Sequence, residues 1–229
     1  GGIYVKYKQH DITYVNTTAL SAAARVVNPG IYVDPLRDPD YTGHQYYIAL
    51  TDYELESKAA FGEAYWSPTD TLRATLGLRY TSDSKKQVGS QSTLFTAGRG
   101  PVFTPVQEVE FNEVTGKFNL DWSPVLSFTD KTLIYGSYSR GYKGGGFNGA
   151  RATDLGLSAS YQPEFVNAFE VGTKNVFMDG QLLLNLTGFY YKYKGYQIAR
   201  PVNRVAYNEN IDATIKGVEL ESIDRKSVV

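Results

Sequence analysis

The residues that could carry chemistry are few and poorly grouped. Gly144-Gly145-Gly146-Phe147-Asn148-Gly149 satisfies G-x-G-x-x-G, the pattern with which a strand–turn–helix unit cradles a pyrophosphate. That pattern has meaning only with a strand before it, a helix after it and an acid about 20 residues on. No helical periodicity follows Gly149, so the glycines read better as the exit of a strand. The carboxylates Glu113, Asp121 and Glu170 could form an acid/base pair, but nothing in the sequence supplies a pocket to raise either pKa. They are expected to pair across strands with Lys117, Lys174 and Arg79. There is no cysteine, and the two histidines, His10 and His44, show no metal-ligand spacing. No nucleophile–base arrangement is visible. The expectation is therefore no catalytic residue, no cofactor, no metal site and no enzyme.

Binding chemistry is what remains. Arg140 and Lys143 could attract an anionic ligand into a confined mouth, although rim charges that only meet solvent would look the same. Tyr142, Phe147 and Asn148 adjoin them, and the stretch 10–52 contributes His44, Tyr46 and Tyr47 among other aromatic and acidic residues. Aromatic groups with a few polar ones suit a small-molecule site, and they equally suit ordinary loop surface. These eight residues form the candidate ligand-facing set.

The elements that must position them are strands. The chain has 229 residues and a formal net charge of -1, so no basic field points to nucleic acid. Nineteen tyrosines, 11 phenylalanines and 22 glycines favour strands and turns. No apolar run approaches the ~18 residues of a membrane helix. Mean hydropathy is -0.33, a value that a barrel of alternating strands shares with soluble proteins. In 71–81 the even positions Leu72, Ala74, Leu76, Leu78 and Tyr80 are apolar, and the odd positions are polar or small. A period of two puts the two sets on opposite faces. The segment 111–122 repeats the pattern, and 164–177 and 181–194 follow it less strictly; 131–142 alternates poorly and is assigned from its neighbours. The sequence predicts eight strands, near 2–9, 53–66, 71–84, 111–122, 131–142, 164–177, 181–195 and 214–222.

Connection lengths alternate. Short ones at 67–70, 123–130 and 178–180 take turns with long ones at 10–52, 85–110, 143–163 and 196–213. Outer-membrane barrels segregate short periplasmic turns from long extracellular loops in this way. Trp66, Trp122 and Phe177 precede the three short turns at intervals of about 55 residues. Aromatic side chains at that level suit an interfacial girdle, because the ring tolerates the boundary between lipid and water. Packing beneath the turns of a soluble sheet is the competing explanation.

Specific words then become recognisable. Residues 134–148 contain Tyr135 through Asn148 in the form Y-x-S-x-S-R-G-(F/Y)-K-x-G-G-F-N, which resembles a segment of TonB-dependent outer-membrane receptors. Phe61-Gly62-Glu63, Gly77-Leu78-Arg79-Tyr80, the stretches 163–174 and 179–191, and Gly217-Val218-Glu219-Leu220-Glu221 are similar to other strands of that family, in family order. The resemblance covers about residues 53–221. It implies an all-β fold: an antiparallel transmembrane β-barrel segment, about eight strands of a barrel of about 22, in an up-and-down meander. It also implies energy-coupled uptake of a scarce ligand, most often a ferric siderophore, with a small-molecule ligand at the extracellular face, outer-membrane lipid around the barrel, and the TonB coupling protein engaged through a plug. Residues 1–229 are expected to be a partial barrel domain lacking plug and terminal strands, in the bacterial outer membrane. Two alternatives stay open: a complete small barrel with a structural or adhesive role, in which strand 2–9 would pair strand 214–222, and a soluble β-sheet binding module.

Overall fold

The alternation read between residues 71 and 81 runs on well past that window, and it builds one sheet. A computed structural model of the chain describes residues 1–16, 45–93, 102–149, 152–202 and 205–224. Eight strands form the sheet: β1 (Gly2–Asn16), β2 (Gln45–Thr69), β3 (Leu72–Thr93), β4 (Val102–Trp122), β5 (Lys131–Lys143), β8 (Glu164–Phe177), β9 (Leu182–Val202) and β10 (Val205–Asp224). Two two-residue strands, β6 (Gly146–Phe147) and β7 (Ser160–Tyr161), pair with each other between β5 and β8. The order in the sheet is the order in the chain, and each neighbouring pair is antiparallel. This is the expected up-and-down meander. β1 and β10 are its two edges and do not pair with each other, which removes the closed eight-stranded barrel.

The register puts the apolar positions side by side. Leu76 lies between Ala64 and Phe118, Leu78 between Gly62 and Gly116, and Tyr80 between Ala60 and Val114. The row continues through Tyr138, Phe169 and Tyr190. These side chains stay open: Leu78, Val114 and Val218 are 57%, 57% and 73% exposed. Among the described residues the only buried hydrophobic one is Ala152, while Thr75, Thr81, Asp83, Thr132 and Asn148 are buried. A water-soluble domain does the reverse, and it rarely shows a contiguous apolar patch above a few hundred Å².

The opposite face is charged and aromatic. Lys117 reaches Glu63 at 3.2 Å, and Arg73 lies 4.8 Å from the centre of the Tyr65 ring. The expected carboxylate partners are different from those found. Lys174 sits over Tyr135 and Arg79 over Phe61, while Glu170 accepts a hydrogen bond from the Tyr191 hydroxyl. Cations on this face meet aromatic rings as well as acids: the register sets Phe61 directly opposite Arg79, and Tyr65 and Tyr135 diagonally beside Arg73 and Lys174.

Along the apolar face, Leu72 to Tyr80 spans nine positions before the same face turns to Ser82, Ser84 and Lys86, which suits the ~9–11 residues of a membrane-crossing strand. The strands then go on. The expected loop 196–213 is the upper part of the β9–β10 hairpin, with Val202 paired to Val205. β1 runs to Asn16, β2 starts at Gln45 and β3 reaches Thr93, so the loops expected at 10–52 and 85–110 are partly strand as well. Strand pairing continues past the stretch of strict alternation, where polar and apolar residues mix on both faces and the sequence pattern fades. At the other end the turns are tight. Met178, Asp179 and Gly180 take φ of 59°, 53° and 86°, the left-handed conformations that close a short hairpin with the twist of its strands. Trp66, Trp122 and Phe177 stand at this end.

The two faces of β4 give a direct contrast. In the protein that carries this chain, Leu120→Arg on the apolar face should lower folding stability in a bilayer by about 2–4 kcal/mol, and Asn119→Arg on the polar face by less than about 1 kcal/mol. Urea titration of the protein refolded into lipid vesicles measures both; equal costs would refute the assignment of faces.

Candidate functional site

The site begins where β5 leaves β4. Their pairing runs only from Trp122–Ile134 to Gly116–Arg140, although β4 itself continues to Val102 along β3. Beyond Arg140, β5 stays with β8 through Lys143–Glu164. Residues 140–145 also reach charged-face residues of β3 and β4. Arg140 approaches Glu113 at 3.9 Å, and the Tyr142 hydroxyl donates to Asp83 at 3.1 Å. The Lys85 ammonium donates to the carbonyl of Gly145, and Ser57 donates to the second oxygen of Asp83 at 2.6 Å. The upper part of the β5–β8 hairpin thus leans across the polar face of its neighbours.

The electrostatics follow from that packing. Burial is the main cause that pushes the Tyr142 hydroxyl far above its ordinary range, and the Asp83 carboxylate adds to it. Tyr142 therefore remains a proton donor through neutral pH. Because the folded-state pKa is raised, the contact contributes fully below the ordinary tyrosine value and fades as pH rises through the raised one. Burial also pushes Tyr53 and Tyr161 up and lowers Lys85, whose ammonium keeps Asp83 as a favourable neighbour. A buried carboxylate, a half-buried ammonium and three tyrosines make a polar, aromatic-lined patch.

The expected site residues divide. Arg140 and Lys143 keep exposed charged ends: Arg140 lies 4.7 Å from the Phe165 ring centre, and Lys143 approaches Glu164 at 4.0 Å. Tyr142 is half-buried with its hydroxyl engaged. Phe147 lies in β6 and is partly exposed. Asn148 is 1% exposed, and both ends of its amide are bonded within the protein. His44 lies outside the described residues, and Tyr46 and Tyr47 are on the backbone of β2. The cluster of Tyr53, Asp83, Lys85, Glu113 and Tyr161 is absent from the expected set. One signal pointed to part of it: Asp83 and Lys85 continue the odd-numbered polar series that begins at Thr71.

Comparison with known proteins gives a family and a fold. The family described as TonB dependent receptor-like, beta-barrel matches residues 3–225. Among solved structures the chain is similar to the ferric yersiniabactin uptake receptor FyuA from Yersinia pestis, at 19% identity and TM-score 0.60, covering 96% of this chain and 29% of that one. It is similar to the copper transporter OprC at 14% identity and TM-score 0.54, covering 80% and 34%. For the ferric-catecholate import receptor Fiu from K12 E. coli the values are 16% and 0.50, covering 80% and 27%. The chain thus spans about a third of the length of these proteins or less. At such identities the likeness carries the fold alone. No curated protein matches the chain.

The geometry makes Tyr142 the joint between β5 and β3. Tyr142→Phe should weaken that joint by about 1.5–3 kcal/mol, the net worth of a hydrogen bond to a charged group. Amide hydrogen exchange of 140–146 measures it; exchange unchanged from the parent protein would show that the hydroxyl contributes nothing there.

Proposed function

Since the chain belongs to the TonB-dependent receptor-like β-barrel family, we propose that it supplies part of the wall and extracellular mouth of a bacterial outer-membrane receptor for energy-coupled uptake of a ferric siderophore or a similar iron complex. The observation that carries the reading is the two-faced sheet: an exposed apolar face one bilayer tall, backed by a charged face suited to a wet lumen. On this reading the short turns at 67–70, 123–130 and 178–180 are periplasmic, Trp66, Trp122 and Phe177 form the girdle at that interface, and the hairpins rising past Tyr80 are extracellular. The TonB coupling protein would act through a plug outside residues 1–229. The family is one of transport receptors, so no catalytic role is assigned.

The ligand class rests on two supports. Two of the similar structures are named as receptors for iron chelates. Arg140 and Lys143 keep exposed cationic ends at the root of the mouth, where they would attract an anionic ferric chelate. Copper is the specific competitor, because a third similar structure is named as a copper transporter. Among the described residues, however, no three His, Asp or Glu side chains are grouped to hold a bare metal ion.

Uptake by cells lacking the receptor gene tests this, with hydroxamate, catecholate and phenolate ferric chelates and cupric ion as four separate probes. Loss of one ferric chelate's uptake, restored by the gene only in energised cells, is expected. Arg140→Glu with Lys143→Glu should weaken binding of that chelate by about tenfold or more at low salt, with less effect at high salt. Loss of copper uptake alone would overturn the iron reading, and restored uptake without energy coupling would overturn the receptor reading.

A further inference from the structure

The segment between β5 and β8 is held from two sides. On one side, Lys85 of β3 binds the Gly145 carbonyl and Asp83 of β3 holds Tyr142. The fit there is close: a Cβ on Gly145 would collide with the Tyr161 carbonyl oxygen and fall 2.8 Å from the Phe111 ring. On the other side the anchors are amide hydrogen bonds between the segment and the β9–β10 hairpin. The Asn148 amide donates to the Ser158 carbonyl at 3.0 Å and to the Asn208 carbonyl at 3.2 Å, and its oxygen accepts from the Asn208 N–H at 2.8 Å. Asn210 accepts from the Gln162 N–H and donates to the carbonyls of Gln162 and Gly195. Gln197 donates to the carbonyls of Gly144 and Gln162.

A bulge aims these amides. Between the pairs Ala213–Tyr193 and Ile211–Tyr196, Lys194 and Gly195 oppose Asp212 alone, and Gly195 takes φ 65°. A Cβ at Gly195 would fall 2.8 Å from the Pro163 carbonyl oxygen, so glycine is required both by the turn and by the approach of the segment. Asn148 is the largest fully buried side chain among the described residues. A buried amide left unsatisfied costs more than a made bond gains, so this residue specifies a single seating.

We infer that residues 142–149 and 152–162 form a fixed cross-brace that ties β3 to β10, strands five places apart in the sheet, and that this part of the mouth is not a closing lid. Two covalently distant walls then move as one body, and Arg140 and Lys143 at the root of the brace are positioned before any ligand arrives. Closure on a ligand, where it occurs, belongs to other hairpins. The inference needs only the fold and is independent of what is transported.

Hydrogen exchange on the full-length protein in detergent, with no ligand added, tests it. The amides of Asn148, Gln162 and Asn208 should be protected to the same degree as mid-strand amides of β4. Asn148→Ala should speed exchange of 144–162 by about tenfold or more while peptides covering 113–122 stay unchanged. If that variant fails to fold, Asn210→Ala cuts a different anchor and should release 158–163 alone. Parent-protein exchange of 144–162 at the rate of an unstructured peptide would overturn the inference, as would variants that leave exchange unaltered.

Discussion

A backbone that crosses an apolar layer must pair each N–H and C=O within the protein, because the surrounding medium offers no partner. The sheet meets this constraint with long antiparallel ladders, such as the one that runs without a register shift from Ala74–Trp66 up to Thr93–Tyr47. Once the ladder is continuous, the side-chain period of two is the only freedom left along each strand, and a slip of one residue would exchange the faces. Leu76, Leu78 and Tyr80 on one side and Thr75, Gly77 and Arg79 on the other are therefore one decision repeated along the strand. Burial of Thr75 and Thr81 beside exposure of Leu76 and Leu78 is its direct consequence.

The packing around Tyr142 depends on a place where that regularity is broken. All neighbouring strands pair over long stretches except β4 and β5, which part above Gly116–Arg140. That early parting frees the upper β5–β8 hairpin to lean over β3 and β4, and it brings Tyr142 to Asp83 and Gly145 to Lys85. The second irregularity, the Gly195 bulge, turns Asn210 and Gln197 toward the same segment from the other side. These two local irregularities of the sheet build the packed patch between β3 and β10.

Much of the fold was legible because alternation needs only local sequence. β3 and β4 announced themselves through Leu72–Tyr80 and Val114–Trp122, and the short turns through Pro68, Pro124 and Gly180. The 196–213 hairpin reads as a loop in the sequence because its strands mix polar and apolar residues on both faces, so pairing leaves no hydropathy signature there. The site was less legible. Arg140 and Lys143 stood out as charges within a recognisable word, but Asn148 looked like a ligand group and is a buried anchor. Asp83 and Lys85 gained their roles only through contacts with residues 142–145, some 60 positions away, which no local pattern encodes.

The most direct test of the central claim is collision accessibility of nitroxide labels placed singly at positions 74 to 79 of β3 in the lipid-reconstituted protein. The even positions should collide with dissolved oxygen and resist a water-soluble relaxant, with the odd positions reversed, residue by residue. Uniform access of the water-soluble reagent to all six positions would contradict a wall with one face in lipid and the other in a wet lumen.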